Sequence, residues 1–297
     1  MSTLLKPYNE RMMEVLLYIQ HNLDGDLSPE TLADQACFSV AHFHRIFKGM
    51  IGESLKEHIR RLRLERAAYR LCYTDDQIME IALDSGFESP VTFSRAFKKR
   101  FMVPPSDFRN NSRTMFAPGN DGKIHYRPEP SINSFKMDDS PAKCKVEIRV
   151  REETQVIFIR HVGSYFEVEK AWEKLCGWAY SKGLLSQDTE FLGLCYDDPD
   201  ITPEEKIRYD ACISIDKTVE LPPEMGHQII PAGKYAITTH YGSYEGLNDA
   251  YKEFYGKWLP ANGYQLKNSL PSFEKYVKAP PDVPPEEAIT EIWLAIY

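Results

Sequence analysis

The chain contains no apolar run long enough to cross a bilayer. Its first residues have no basic start followed by an apolar core and a small-residue cleavage site, so no secretory leader is expected and the chain reads as cytoplasmic. Its cysteines (Cys37, Cys72, Cys144, Cys176, Cys195 and Cys212) are scattered and form no C-x-x-C pair. That spacing argues for reduced thiols rather than a disulfide framework or a zinc site. There is no H-E-x-x-H metal motif, no glycine-rich phosphate cradle and no activated nucleophile. The reading is therefore not an enzyme, with no metal and no cofactor. No coiled-coil seam is present to force a dimer.

What is present is a 297-residue chain, long enough for two domains. Its net charge of −8 argues against a nucleic-acid partner until it is divided. Residues 1–113 hold 16 Lys+Arg against 15 Asp+Glu, whereas the remainder holds 20 against 29. The basic residues of the first part also cluster, as Arg60, Arg61, Arg63, Arg66 and Arg70, and again as Lys98, Lys99 and Arg100. Such clusters are either local phosphate contacts or solvated helix faces, and charge alone does not choose between them.

Apolar residues recur at three and four positions through the first ~110 residues, as in Met12, Val15, Leu16 and Ile19, which predicts an all-α region. Residues 113–143 are polar, with proline and glycine, and read as a linker. From residue 144, strand-like runs alternate with a helical one, which reads as α+β. The expected domains are 1–112, the linker 113–143, and 144–297.

Each half repeats internally. Phe43, Arg45, Phe47 and Lys48 recur as Phe93, Arg95, Phe97 and Lys98 at a spacing of 50. Ala33 and Cys37-Phe38 recur as Ala82 and Gly86-Phe87 at a spacing of 49. In the second half, His161, Gly163 and Tyr165 recur as His240, Gly242 and Tyr244 at 79; Ala171-Trp172 matches Ala250-Tyr251, Tyr196 matches Tyr276 at 80, and Asp210 matches Glu291 at 81. Two copies are too few for a solenoid and suggest paired units about a pseudo-two-fold axis.

Each N-terminal copy reads as a helix, a tight turn and a second helix. Gly86 suits a turn that needs positive φ, and Cys37 takes that place less well. The second helices put Phe43, Ile46 and Phe47, or Phe93, Ala96 and Phe97, on a core face. The other face offers Ala41, His44, Arg45 and Lys48, then Val91, Arg95, Lys98 and Lys99, as groove contacts. His42 and His44 are two apart, so they face different ways and do not make a metal pair. With Leu32-Ala33, the Arg61–Ala67 run, Ile81-Ala82 and Pro104 to Phe108, residues ~10–112 resemble the AraC-type DNA-binding module. The resemblance implies two helices reading adjacent major-groove segments of double-stranded DNA, joined by a long helix near 55–72. It makes Ala41, His44 and Arg45, then Pro90, Val91 and Arg95, candidate contacts. Some family members carry amide side chains where Pro90-Val91 stand, so mainly apolar or backbone contact is expected there.

The second half reads as strand–helix–strand–strand, twice. His240 to Tyr244, Pro271 to Tyr276 and Thr290 to Ile296 carry a resemblance to the GyrI-like domain of Rob-type regulators. That resemblance implies an aromatic cleft with one carboxylate, Glu274, able to meet a cationic ligand. Glu274 and Tyr276 share a strand face. Leu194 stands at Glu274's matching position, so one carboxylate breaks the symmetry. Tyr165, Trp172, Tyr196, Tyr244, Tyr276 and Trp293 are the expected aromatic lining. A pairing of Glu274 with a surface Lys or Arg is the plainer alternative.

Together these imply a sequence-specific transcription regulator, monomeric on DNA and controlled by an amphipathic or cationic small molecule. The alternatives are a C-terminal domain that docks on a protein such as RNA polymerase or gyrase, and a hydrolase using Glu274 as general base.

Overall fold

A computed structural model describes residues 6–115, 140–197, 202–217, 219–267 and 271–297, so most of the expected linker lies outside the described residues. The chain forms two compact units. One comprises Met1–Cys37 and Glu53–Met137, the other Phe38–Gly52 and Asp138–Tyr297.

The N-terminal region is helical: α1 (Tyr8–His21), α2 (Pro29–Gln35), α3 (Val40–Ile51), α4 (Leu55–Tyr73), α5 (Ile78–Asp84), α6 (Pro90–Phe101) and α7 (Pro105–Met115). Its starts follow from local chemistry. The hydroxyls of Ser28, Ser39, Ser54 and Ser89 each accept a backbone N–H of the helix they precede. Pro29 and Pro90 occupy first-turn positions, where the absent N–H costs nothing. Ser54 and Glu57 complete a reciprocal capping box on α4. Among the described residues no helix is long and apolar enough to cross a membrane.

Four arginines of the basic run on α4, Arg61, Arg63, Arg66 and Arg70, are engaged by neighbouring groups. Arg61 grips Glu53 and the fully buried Glu65, which Arg100 also meets. Arg63 donates to the Leu23 carbonyl, Arg66 pairs with Asp24, and Arg70 pairs with Asp76 and Asp84. Despite partial burial, hydrogen bonds from His58 and Arg61 hold the Glu53 carboxyl down to about 2. These arginines therefore brace the helical scaffold.

In the first unit, Leu64, Ala67, Ala68 and Leu71 of α4 pack with Ile81, Ala82, Phe93, Ala96, Phe97, Phe101 and Phe108. The turn before α6 uses Gly86 at φ 74°, and Cys37 adopts φ 55° at the matching place before α3. A side chain at positive φ costs about 1–2 kcal/mol that glycine does not incur. Cys37→Gly should therefore raise thermal stability by a few degrees, and Gly86→Ala should lower it by a similar amount. Circular-dichroism melts of both variants check the pair of signs.

The second unit contains one eight-stranded antiparallel sheet in the order β1-β6-β8-β7-β3-β4-β2-β5. Its strands are β1 (Val146–Arg151), β2 (Thr154–Val162), β3 (Phe191–Cys195), β4 (Arg208–Ser214), β5 (Met225–Ile230), β6 (Gly233–Tyr241), β7 (Phe273–Lys278) and β8 (Ile289–Ile296). Helix α8 (Glu169–Ser181) follows β2. The helix after β6 runs through α9 (Leu247–Glu253), a π-helical turn over Phe254–Trp258, and α10 (Leu259–Asn262). Each repeat thus carries one more strand than strand–helix–strand–strand. The extra first strands cross over: β1 pairs with β6 of the second repeat, and β5 pairs with β2 of the first. The pseudo-two-fold axis falls between β3 and β7, which pair directly.

Candidate functional site

Side chains alternate across a strand, so the sheet has two faces with different chemistry. One carries Val156, Leu192, Leu194, Cys212, Tyr235, Phe273, Trp293 and Ala295. The other carries Ile157, Ile159, Cys195, Tyr209, Ala211 and Ile213, with Ala171, Leu175 and Ala179 of α8 packed upon it. Glu274 lies between Phe273 and Lys275 on β7 and points to this second face, at 7 % exposure.

Three side chains close on its carboxylate. The Tyr276 hydroxyl donates to one oxygen at 2.7 Å, and the Tyr251 hydroxyl donates to the other at 3.1 Å. The Cys195 thiol lies 3.6 Å from that second oxygen. Behind Tyr276 the chain continues: its hydroxyl is 2.8 Å from that of Tyr209, which accepts from Trp172 Nε1 at 3.0 Å. An indole N–H only donates, and Tyr276 spends its one proton on Glu274. With the carboxylate ionised, proton directions therefore run from Trp172 to Tyr209 to Tyr276 to Glu274. Such an ordered chain favours negative charge at its end.

Burial still outweighs these donors and pushes the Glu274 carboxyl up, while the hydroxyls of Tyr276 and Tyr251 and the charge of Arg45 pull the other way. Burial likewise pushes the phenols of Tyr209, Tyr251 and Tyr276 well up, so all three stay protonated donors. Ring edges complete the surroundings. Trp172 and Tyr244 meet Tyr276 edge-on at 5.6 and 5.8 Å, and Tyr165 meets Tyr209 at 5.9 Å.

Glycine makes the arrangement possible. Gly193 pairs directly with Glu274 across β3 and β7. A Cβ there would lie 2.4 Å from the Tyr209 hydroxyl and 2.6 Å from that of Tyr276. The two phenols meet in the space its missing side chain leaves.

The structure brings together Glu274, Tyr276, Tyr165, Trp172 and Tyr244 of the expected lining. It sets Tyr196 and Trp293 on the opposite face. Tyr196 donates to Asp210 at 2.8 Å, and Trp293 stacks on Phe273 at 5.5 Å and donates to Glu291. The cause for Tyr196 is register. Leu192 and Phe273 share a face, so β3 and β7 correspond at a spacing of 81. Glu274 then answers to Gly193 rather than Leu194, and Tyr276 to Cys195 rather than Tyr196. A one-residue slip moves every side chain to the other face. Sequence reasoning also passed over Tyr209 and Tyr251 as site residues. Tyr251 was within reach, since it is the repeat partner of Trp172.

The two candidate DNA-reading helices differ. On α6, Pro90, Val91, Arg95, Lys98 and Lys99 are all exposed. On α3, Ala41, Arg45 and Lys48 are half-buried and His44 is buried at 4 % exposure. The expectation that His44 and its neighbours form an open face is corrected here, because α3 packs on α9 and the π-helical turn within the second unit.

Residues 145–296 match the model of the GyrI-like small molecule binding domain, and residues 32–111 match that of a helix-turn-helix domain. The chain belongs to the GyrI-like family, and an AraC-type helix-turn-helix domain precedes its GyrI-like domain. The probable transcription factor PqrA of Proteus vulgaris is 44 % identical over 100 residues, a match covering 33 % of this chain and 82 % of PqrA. The transcriptional regulator Rob of Salmonella typhimurium is 37 % identical over 99 residues, covering 33 % of this chain and 34 % of Rob. The match therefore spans about a third of Rob's length. The crystal structure of the EcmrR C-terminal domain is similar at a TM-score of 0.44 and 21 % identity, covering 52 % of this chain and 98 % of that one.

An acid whose folded-state value is raised stabilises the fold while protonated, and that contribution fades as pH rises through the folded value. Glu274 is such a group. Glu274→Gln should therefore melt higher than the parent chain at pH 8, with the gap closing toward pH 5. Melting curves of both chains at the two pH values check the sign.

Proposed function

We propose that the chain is a DNA-binding transcription regulator whose C-terminal domain takes a lipophilic cation at Glu274. The observation that carries this reading is the buried carboxylate that accepts from the Tyr276 and Tyr251 hydroxyls, with Tyr209 and Trp172 in line behind Tyr276. A buried negative charge is expensive unless positive charge accompanies it. Tyr165, Trp172, Tyr244, Tyr251 and Tyr276 add ring faces and edges, and π-faces attract cations further. The ligand is accordingly aromatic or bulky, carries one positive charge, and has few hydrogen-bond donors of its own.

DNA contact rests on the helix-turn-helix match and on the side chains that α6 presents. Arg95 is the candidate base reader of that helix, and a bidentate Arg–guanine contact contributes about 1–3 kcal/mol of discrimination. Lys98 and Lys99 suit phosphates, which position a protein without reading sequence. Arg45 and Lys48 of α3 are the corresponding pair in the first helix-turn-helix repeat. Two reading helices on one chain fit an asymmetric site bound by a monomer.

Tetraphenylphosphonium and tetraphenylborate have nearly one shape and opposite charge, so together they isolate charge selection. All four tryptophans (Trp172, Trp178, Trp258 and Trp293) lie in residues 144–297, so intrinsic fluorescence reports on this domain. Saturable quenching by the phosphonium alone is expected, weakened about tenfold or more by Glu274→Gln. Equal binding of the borate, or a phosphonium affinity indifferent to the substitution, contradicts the assignment.

A further inference from the structure

One positive charge already lies against the aromatic residues around Glu274, and it comes from α3. The Arg45 guanidinium carbon stands 4.6 Å from the centre of the Tyr251 ring and 5.6 Å from that of Tyr255. Its Nη1 donates to the hydroxyl of Ser272, two residues before Glu274. Tyr251 is the residue whose hydroxyl holds Glu274 at 3.1 Å. A guanidinium stacked on the ring that binds the carboxylate presents the pairing a cationic ligand would make.

A second feature, independent of charge, seats α3 there. Gly49 on α3 and Gly256 in the π-helical turn meet backbone to backbone. A Cβ on Gly256 would lie 2.2 Å from the Gly49 Cα, and one on Gly49 would lie 2.4 Å from the Gly256 Cα. Only glycine at both positions allows this approach. The irregular turn also carries Tyr255, whose ring lies 5.9 Å from His42 of α3. Single π-turns inserted in helices recur at functional sites.

We propose that Arg45 is the resident cation of the Glu274 site, and that a soluble cationic ligand and docked α3 exclude one another there. The proposal rests on the cation-binding reading of Glu274 given above. It deepens that reading by coupling it to DNA. Arg45 cannot lie over Tyr251 and reach a base edge at once, so the docked state withholds the first reading helix. A ligand that binds only where Arg45 has left shifts the population toward free α3. By the same linkage, the docked fraction lowers the ligand's apparent affinity.

The test compares three full-length chains: the parent, Arg45→Ala and Gly256→Ala. Gly256→Ala adds a methyl against the Gly49 backbone and touches neither Glu274 nor a DNA-contacting side chain. Tetraphenylphosphonium binding is followed by tryptophan fluorescence, and hydrogen exchange is followed over residues 40–51. Both variants should bind the phosphonium about fivefold tighter or more, and saturating phosphonium should speed exchange in α3 of the parent. Unchanged or weaker binding in both variants overturns the proposal while leaving the Glu274 reading intact. Tighter binding in Arg45→Ala alone reports only a removed charge and overturns the exclusion. Tighter binding in Gly256→Ala alone overturns Arg45 as the resident cation. Tight binding with unchanged α3 exchange in the parent overturns the displacement. No phosphonium binding by any of the three chains, parent included, defeats the Glu274 reading and this proposal with it.

Discussion

A carboxylate enclosed between a sheet and its covering helices must be met by donors or by positive charge, and Glu274 imposes that demand on its neighbours. Tyr276, Tyr251 and Cys195 stand within reach of its oxygens because three separate elements converge there: β7, α9 and the end of β3. Tyr209 and Trp172 are recruited behind them, from β4 and α8. Gly193 is small so that the phenols can meet. The hydroxyls supply dipoles but no net charge, and burial keeps the carboxyl pushed up even with the Arg45 charge pulling the other way. The positive charge at the site is that of Arg45 in the docked state, and that of a soluble cation in its place in the reading proposed above.

The pseudo-symmetry explains why there is one such site. The two repeats bring β3 and β7 together at the axis, where each faces the other's equivalent position. A carboxylate at both would set two buried like charges side by side. With glycine on one strand and glutamate on the other, one half supplies charge and the other supplies room. The second repeat also replaces a plain helix with one broken by a π-helical turn, which presents Gly256 and Tyr255. The halves have thus diverged at the positions that surround Glu274.

Much of this was legible in the sequence. Apolar recurrence at three and four residues marked the helical region, the spacing of 50 marked the paired helix-turn-helix units, and Cys37 proved to hold the positive φ that Gly86 holds in its copy. Glu274 stood out as an unmatched acid among aromatics. The errors have physical causes. Matching letters placed Tyr196 against Tyr276, but only backbone pairing fixes which face a strand residue occupies. For the arginines of α4, charge alone left phosphate contacts and a solvated face both open; Arg61, Arg66 and Arg70 pair with Glu53, Asp24 and Asp84 of other segments, which local charge patterning does not reveal. The polar side of α3 suggested solvent, but amphipathicity says which residues can face water and not whether another surface covers them.

The central claim is that the Glu274 carboxylate selects positive charge. Calorimetric titration with tetraphenylphosphonium in two buffers of different ionisation enthalpy tests it most directly, repeated from pH 5 to pH 8. A cation favours the ionised carboxylate, so binding should expel a proton wherever the free carboxyl is protonated, with release falling as pH rises. Glu274→Gln should abolish that release. Binding that expels no proton at any pH, or proton release that survives in Glu274→Gln, would contradict the account.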